Sequence, residues 1–594
     1  MKIDHFRQPR AGGKVAVVLA VFGVLAAAAV FGMSASAARA ASGKPVVTTY
    51  ASKPATVSPL NNFKQLPHGI KYDLAFLACQ GTSELMPTGA CTLAPPSDDG
   101  GDLGAPAQVP HATGFNGPSG SSSSGLGSNF DGISDVGQRT QTGFHFTPPD
   151  QGLCVGPAGP LEGAGVDLGV PGDTTVVVEL VNDGWGVFAK DGTQLWLDSN
   201  IDLFGDPFSS GDIECNYDQQ SKTYFFTEIG ALTGEFYGTN LAVLNRKGYS
   251  AYFVDTAQGG FCFPDFPHQG IDNNALYITI NEFCTPAENF FGASIYALSK
   301  QQLVNHSAPN GAVDAVDWSL GDNYYSFRGA TGDSTDTEYL LASEQNDVTQ
   351  NALDFAWVTG DKKIGKAPVI LSLTSIPSES FTEPVDAQST GDGTTCVREF
   401  HTDLGQPDDQ TWCSIPEKTL DPTDMRLEQV TYSKGQLYTS LDTSLTVNDD
   451  PTVVDGVAWF QVNPKALKVV NQGYVGVRGT WVVMPSVIPS GGNTLMLGFS
   501  ATSPTLNPST GYMTSKNGGK TWSSLTITGA GSGPHVSFSD NQPGYLRKRW
   551  GDYSRIAVDP ASGAVWMADE YIPSGPDGAD TVDNWGTRIW ELSK

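Results

Sequence analysis

From residue 150 onward, short runs of β-forming residues alternate with turn clusters, and this alternation limits the fold more than any other feature. The runs are rich in Val, Ile, Tyr, Phe and Trp, as in 174–181, 222–228, 275–280 and 564–568. Turn residues such as Asn182, Asp183 and Gly184 bound them, which is typical of antiparallel hairpins. Long amphipathic helical patterns are absent from the sequence, so the chain is predicted to be all-β.

The strand groups recur at a spacing of about 45 to 50 residues, which is the period of propeller blades. Seven groups share this texture, and they span 151–197, 212–254, 265–303, 327–370, 424–470, 485–525 and 552–591. The longer interval between 370 and 424 is interpreted as an insertion pinned by Cys396 and Cys413. A pair of β-sandwiches also gives short strands, but it does not predict a fixed period. The predicted fold is a β-propeller over residues 150–594, with seven blades favoured and six as the alternative.

Residues 1–40 have the pattern of a signal peptide. A basic start precedes an apolar run over 15–31, and the sequence then reaches Ala38-Arg39-Ala40, a small-x-small cleavage site. A membrane anchor is the alternative, because the run approaches the length of a spanning helix. A second cleavage site at 35–37 favours removal. The mature chain is therefore predicted to start near Ala41, to have no further membrane span, and to be secreted, either extracellular or at the cell surface.

Residues 41–149 carry little apolar periodicity. They contain the Gly/Ser run 117–125, a composition that buries too little apolar surface to order itself. We predict a low-complexity, Gly/Ser/Pro-rich and mostly disordered N-terminal extension over 41–149. Within this extension, residues 70–77 are the one segment for which a small structured patch is the alternative.

The net charge limits the classes of partner that the protein can bind, and the cysteine count indicates an oxidising compartment. The net charge is −29, and such an acidic surface repels phosphate backbones, which argues against nucleic acid. The eight cysteines are an even number in an exported chain, so disulfides are expected. Pairing neighbours along the chain closes the shortest loops; it gives Cys79–Cys91, Cys154–Cys215, Cys262–Cys284 and Cys396–Cys413. Eight cysteines allow 105 pairings, so this set is a hypothesis.

One motif has a clear local geometry. Ser515, Asn517, Gly519, Thr521 and Trp522 match the pattern S-x-[D/N]-x-G-x-T-W of an Asp-box. Asn517 can bond nearby backbone amides, Gly519 can adopt the left-handed turn conformation, and Trp522 can pack between strands. We interpret the motif as a hairpin staple with a structural role.

Together with segments 149–156 and 549–560, this motif makes the chain similar to the secreted bacterial sialidase-like (BNR/Asp-box) β-propeller family. The resemblance implies a propeller with a ligand site at one mouth of its central tunnel. A sialidase of that family clamps a sugar carboxylate with three arginines and uses a Tyr–Glu nucleophile pair and an Asp acid/base. This sequence has one Asp-box and no Arg-Ile-Pro motif, and Arg246 is its only arginine between 151 and 325. True sialidase activity is therefore not predicted.

Blade-opening residues converge at one tunnel mouth of a propeller, even when they are far apart in sequence. The candidate ligand-binding residues, beside Asp150, are Asp212, Glu214, Asp265, His268, Arg426, Asp552, Tyr553 and Arg555. Their carboxylates can act as acid and base in glycoside cleavage, bind a hard cation such as Ca²⁺, or cap turns. His268 is interpreted as a structural histidine, with proton transfer as the alternative. No residue is assigned a catalytic role.

A second set of oxygen ligands lies close together in sequence. Asp333, Asp336 and Glu338 are spaced as closely along the chain as the oxygen ligands of a calcium-binding loop, although the turn glycine and the full EF-hand spacing are missing. A solvated loop is the alternative. No cofactor is required by the sequence, and Ca²⁺ is the candidate.

Two functions follow. The favoured one is a monomeric, secreted sialidase-like propeller that binds an extracellular glycan or a cell-surface protein at the tunnel mouth. The alternative is an extracellular glycoside hydrolase with paired carboxylates, so whether the protein is an enzyme is left open. Two facing carboxyl groups about 5 to 10 Å apart in an open cleft would favour the hydrolase. Mutually capped carboxylates would favour binding.

Overall fold

The computed structural model describes residues 45–61, 109–113, 115–116, 125–142, 146–206, 211–232, 236–257, 262–284, 289–307, 312–343, 348–390, 396–399, 410–413, 419–537, 548–579 and 583–593. The predicted signal peptide, the patch at 70–77 and the Cys79–Cys91 pair lie outside these residues. The described chain is almost entirely β. Its helices are short, and they span Asp135–Thr142, Gly159–Gly163, Asn200–Phe204, Lys300–Val304 and the 3-10 turn Asp361–Lys363. Among the described residues, no helix has the length and apolar character to cross a membrane.

The strands form seven four-stranded antiparallel groups, which we call meanders 1 to 7 in chain order. Meander 1 contains Gly152–Pro157, Thr175–Val181, Gly184–Ala189 and Gln194–Ser199. Meander 2 contains Glu214–Asp218, Thr223–Leu232, Phe236–Asn245 and Gly248–Val254. Meander 3 contains Cys262–Ile271, Ala275–Cys284, Asn289–Ser299 and Ala315–Ser319. Meander 4 contains Arg328–Gly332, Glu338–Ser343, Thr349–Thr359 and Ile370–Thr382.

The remaining meanders follow the insertion. Meander 5 contains Val430–Ser433, Gln436–Val447, Val453–Asn463 and Lys468–Val475. Meander 6 contains Trp481–Pro489, Leu495–Ser503, Leu506–Ser515 and Thr526–Gly529. Meander 7 contains Arg555–Val558, Val565–Tyr571 and Gly586–Leu592, and its fourth strand is Leu126–Ser134 from the N-terminal side. Each predicted strand group therefore overlaps one meander, although the fourth strands of meanders 3, 4, 6 and 7 extend or lie beyond the predicted bounds.

The first strands bring successive meanders together. Those of meanders 1 to 5 contact one another in order, and a parallel ladder joins Arg328–Gly332 to Val430–Ser433. The first strand of meander 6 packs on the second strand of meander 5 and contacts meander 7. The first strand of meander 7 in turn contacts that of meander 1, so the contacts run in a circle.

Apolar side chains fill each gap between successive meanders. The gap between the last and the first meander is filled in the same way, by Leu153 and Val177 from meander 1 and Trp566 and Ile589 from meander 7. Burial of these interfaces is the main apolar stabilisation of the fold, because each meander has two faces to cover.

The segment 45–61 runs along the outside of three meanders. Thr48–Ala51 pairs with the fourth strand of meander 4, Lys53–Ala55 with that of meander 3, and Val57–Asn61 with that of meander 2. These residues, and Leu126–Ser134, belong to the region predicted to be a disordered extension. In these segments the structure differs from that expectation, because backbone pairing to existing sheet edges orders chain that has no core of its own. The sheets therefore begin before the predicted boundary at residue 150.

Smaller pieces complete the structure. His111–Ala112 pairs with Gln436–Val447, and Phe115–Asn116 pairs with Val477–Arg478. The insertion after meander 4 holds Ala387–Gln388, Cys396–Glu399, Gln410–Cys413 and Thr419–Asp421, and the last of these pairs with Lys548–Arg549.

Two of the predicted disulfides, Cys154–Cys215 and Cys262–Cys284, are formed. The first joins meanders 1 and 2, and the second joins two strands of meander 3. In the insertion, strand pairing sets Cys396 opposite Cys413.

Candidate functional site

A residue with positive φ lies before or within the first strand of each meander. Five precede the strand, namely Asp150, Asp212, Ser326, Thr423 and Gly551, whereas Phe266 and Met484 lie within it, where the pairing register shifts. Such a conformation is costly for a side chain other than glycine, so it persists only where surrounding contacts hold it.

Side chains of the neighbouring meander hold several of these positions. The amide of Asp212 donates to Asn182 at 2.8 Å, and that of Phe266 donates to Asp212 at 3.0 Å. The amide of Met484 likewise donates to Asp442 at 3.1 Å. The starts of the first strands are therefore tied together by carboxylate and amide side chains.

The side chains that follow these positions form one buried polar group, which we call the central cluster. It consists of Glu214, Phe266, His268, Arg328, Arg426, Glu428, Tyr553 and Arg555, all at most 5% exposed. They come from meanders 2, 3, 4, 5 and 7.

Phe266 lies at the centre of this cluster. The guanidinium carbon of Arg328 is 4.2 Å from the ring centroid, and that of Arg426 is 4.4 Å away. The rings of His268 and Tyr553 meet Phe266 edge-on at 4.4 and 5.9 Å. A desolvated guanidinium over an aromatic face is a favourable contact, so Phe266 positions both arginines.

Glu214 is the main ionised carboxylate of the cluster. It pairs with Arg555 through Oε1, and its Oε2 lies 3.2 Å from His268 Nδ1. Burial acts to raise the pKa of Glu214, but Arg555, His268 and Arg328 together lower it to about 2. Because the ionised carboxylate only accepts hydrogen bonds, His268 Nδ1 carries a proton and donates it.

His268 is neutral at physiological pH. Burial and the charge of Arg328 lower its pKa to about 3, against the opposing effect of Glu214. With Nδ1 protonated, Nε2 is an acceptor. This atom has no hydrogen-bond partner among the described residues.

Two further groups of the cluster have unfilled hydrogen-bonding capacity. Arg328 donates through Nε to the Leu427 carbonyl at 2.6 Å, but neither Nη atom has a partner in the described chain. The Tyr553 hydroxyl is also buried without a partner there. Buried donors and acceptors are nearly always satisfied in native proteins, so this set calls for an explanation.

Arg426 is engaged differently. Its guanidinium makes two bonds to Asp424, at 3.0 and 2.8 Å, and one to the Tyr325 hydroxyl at 2.8 Å. The neighbouring Glu428 has no hydrogen-bond partner for either carboxylate oxygen among the described residues. Burial raises the pKa of Glu428 to about 8, although Arg328 and Arg426 oppose the shift, so this side chain is largely protonated at neutral pH.

The other predicted residues lie beside the cluster. Asp212 accepts from Phe266, and Asp552 accepts from Arg549 at 2.6 Å. Asp265 directly precedes Phe266 in the first strand of meander 3 and is half-buried. The structure thus brings Glu214, His268, Arg426, Tyr553 and Arg555 together, with Asp212, Asp265 and Asp552 at the margin. The sequence did not single out Phe266 or Glu428.

The predicted calcium loop does not converge. Glu338 is buried and accepts from the Ala330 amide at 2.7 Å, whereas Asp336 is exposed and lies 3.3 Å from Lys362. Asp333 accepts from the Lys434 amide at 2.7 Å. Among the described residues, these three carboxylates form no group that could share an ion. The reason is strand alternation, which turns Glu338 inward and leaves the preceding loop in solvent.

The residues of the predicted Asp-box form the turn between Leu506–Ser515 and Thr526–Gly529. Ser515 Oγ accepts from the Gly519 amide at 2.8 Å, and Asn517 accepts from the Thr521 amide at 3.0 Å. Gly519 has a φ of +82°, and a Cβ there would lie 2.1 Å from the ring of Trp459. Trp522 packs edge-on against the same ring at 6.0 Å. These contacts are those of a turn that fastens meander 6 to meander 5.

Comparisons with known proteins add little. No family model and no curated protein matches the chain. Similar solved structures include the GH43_1 enzyme from Xanthomonas citri, at 11% identity and a TM-score of 0.24, covering 56% of this chain and 88% of that one. The Trypanosoma rangeli sialidase in complex with sialic acid gives 9% identity and a TM-score of 0.29, covering 62% of this chain and 52% of its own. The WD40 domain of SCAP from fission yeast gives 10% and 0.27, covering 70% and 80%. TM-scores this low establish neither a shared fold nor a shared activity.

Proposed function

We propose that the chain is a secreted seven-bladed β-propeller that binds an extracellular glycan at the central cluster and lacks sialidase activity. Three features support the architecture: the circle of contacts from meander 7 back to meander 1, the apolar packing in each gap, and a positive-φ residue before or within the first strand of every meander. Disulfides within meander 3 and between meanders 1 and 2 are compatible with an oxidising compartment.

The single observation that supports ligand binding is the unfilled hydrogen-bonding capacity of the cluster. Arg328 offers two Nη donors, His268 Nε2 is an acceptor, and the Tyr553 hydroxyl can do either. Sugar hydroxyls both donate and accept, so a glycan can satisfy all three groups at once. A site built in this way gains specificity, because a ligand without matching groups leaves buried atoms unpaired.

The pairing of the charged residues favours binding over hydrolysis by this set. The carboxylates of Glu214 and Asp552 are each bonded to an arginine, and that of Asp212 accepts from a backbone amide. The same pairing argues against a three-arginine carboxylate clamp, because Arg426 and Arg555 are already engaged by Asp424 and Glu214.

The test is a glycan-array screen with the wild type, Tyr553→Phe and Arg328→Lys. Tyr553→Phe removes one unpartnered hydroxyl, so the fold should be unchanged and affinity for a bound glycan should fall by about three- to tenfold. Arg328→Lys loses the forked donor geometry and should weaken binding by more. The matched control is Tyr249→Phe, whose hydroxyl donates to the Leu203 carbonyl at 2.6 Å within the fold. Wild-type affinity in both cluster variants, or no glycan bound by the wild type, would contradict the proposal.

One observation keeps a glycoside hydrolase as the second candidate. Glu428 is a buried carboxyl without a hydrogen-bond partner in the described chain, and its pKa is raised to about 8 by burial, which suits a general acid. Hydrolysis of chromogenic glycosides by the wild type, abolished in Glu428→Gln with binding retained, would favour this candidate.

A further inference from the structure

A second cluster of carboxylates lies where the first and last meanders meet. Asp150 and Asp212 precede meanders 1 and 2, and Asp552 precedes meander 7. One oxygen from each lies within 4.8 Å of the other two. Ligands on opposite sides of a Ca²⁺ ion are separated by about 4.6 to 5.2 Å, so these oxygens are spaced as around one centre.

A fourth carboxylate points toward the same place. Glu570, in the second strand of meander 7, is 1% exposed, and neither of its oxygens has a hydrogen-bond partner among the described residues. A Cβ on Gly551 would lie 3.4 Å from Asp150 Oδ1 and 3.4 Å from Glu570 Oε2. Both oxygens therefore lie 3.4 Å from the same position, although Asp150 precedes meander 1 and Glu570 lies in meander 7.

The hydrogen bonds to Asp150 come from neutral groups, so they do not offset its charge. Asp150 accepts from the Asp552 amide at 2.8 Å and from Asn182 at 2.7 Å, and both donors are neutral. Arg549 bonds to Asp552 and offsets one charge. Buried carboxylates in this number need protons or a cation.

We propose that Asp150, Asp212, Asp552 and Glu570 bind a Ca²⁺ ion between meanders 1, 2 and 7. The donor set is all oxygen and lacks His and Cys, which selects a hard cation over Zn²⁺ or Cu²⁺. Ca²⁺ accepts irregular arrangements of six to eight oxygens, whereas Mg²⁺ demands a near-ideal octahedron. Asp212 is half-buried and gives the site an edge accessible to solvent.

Such an ion clamps the closure of the ring. Its ligands come from the residues that precede meanders 1, 2 and 7 and from the second strand of meander 7, so binding requires all three meanders to be in place. Ca²⁺ then stabilises the folded chain by mass action. Tyr553 follows Asp552 directly, so the ion also fixes one side of the central cluster.

The experiment is a Ca²⁺ titration of protein freed of metal with EDTA, followed by calorimetry and by the melting temperature. The wild type should bind one ion and melt at rising temperature as Ca²⁺ increases. Asp212→Asn keeps an acceptor for the Phe266 amide but should bind Ca²⁺ at least about tenfold more weakly. Asp336→Asn is the matched control, because this exposed aspartate lies on the predicted calcium loop and should leave binding unchanged.

Three results would overturn the proposal. One is a wild type unaffected by Ca²⁺ up to about 10 mM, above the range of weak extracellular sites. Another is an Asp212→Asn variant that binds as tightly as the wild type. The third result comes from a Tb³⁺ experiment on the wild type, which replaces the variant if Asp212→Asn fails to fold. If the site exists, bound Tb³⁺ should emit when Trp550 and Tyr553 are excited, and added Ca²⁺ should displace Tb³⁺ and reduce the emission. Absence of sensitised emission would then decide against the site.

Discussion

Phe266 is a bulky residue held at a φ of +56°, a conformation that costs about 1 to 3 kcal/mol. The bond from its amide to Asp212 and the two guanidinium groups over its ring offset this cost. The conformation turns the ring into the middle of the cluster, between residues from five meanders. The strained conformation of Phe266 therefore places its ring where the guanidinium groups of Arg328 and Arg426 pack against it.

His268 makes stability depend on pH in a defined window. The pKa of His268 is about 3 in the folded protein and about 6.5 when unfolded, so the unfolded chain takes up a proton first as pH falls. Stability from this group is complete above pH 6.5 and is lost progressively between about pH 6.5 and 3. In His268→Gln we expect a shallower fall of the melting temperature from pH 7 to pH 4. Parallel curves for the two proteins would contradict this.

The candidate site could be predicted from sequence in part. Glu214, His268, Arg426, Tyr553 and Arg555 were identified because each lies near the start of a strand group. The pairings between these side chains could not be predicted from the sequence, because Glu214 and Arg555 are 341 residues apart and meet only in the folded chain. Phe266 gave no signal, because an aromatic residue in a strand usually indicates core packing.

At the scale of single elements, the Asp-box turn offers a direct test of a structural role. Trp522 is 9% exposed and packs between meanders 5 and 6. Trp522→Ala should lower the free energy of unfolding by about 3 to 5 kcal/mol, as truncation of a buried aromatic does. Denaturant unfolding measures this, with the exposed Lys520→Ala in the same turn as the control. A variant with unchanged stability but lost ligand binding would show that the role is functional.

The strands between Thr48 and Asn61 protect sheet edges. Without them, the fourth strands of meanders 2, 3 and 4 expose unpaired backbone groups, which promote association of chains. A chain starting at residue 62 should therefore melt at lower temperature and associate with increasing concentration, unlike one starting at residue 45. Light scattering and thermal melting measure both effects. If the shorter chain is monomeric with the same melting temperature, these strands do not protect the edges.

These outer strands were not predictable from their residues. Pro54 and Pro59 lie within them, and proline in a short run usually argues against a strand. Both positions are tolerated because the strands lie at the outer edge, where one row of amides needs no partner. The meanders were predictable because their alternation and turn residues are local, whereas edge pairing depends on which surface the segment meets.

At the scale of the whole molecule, the cysteines test the arrangement of the chain. We expect the exported protein to contain four disulfides, including Cys79–Cys91 and Cys396–Cys413 beside the two formed in the structure. Alkylation of denatured, unreduced protein should then add no mass, and peptide mapping should recover pairs of neighbours. Two or more alkylated cysteines would contradict the pairing.

The strand that completes meander 7 comes from the opposite end of the chain. Leu126–Ser134 pairs with Gly586–Leu592, so this pairing cannot form until residues 586–592 have been synthesised. Until then, meander 7 lacks its fourth strand. Pairing across such a long interval is slow, because loop closure precedes any gain from contacts. Completion of meander 7 therefore depends on the seven-residue strand Gly586–Leu592, whose partner lies more than 450 residues earlier in the chain.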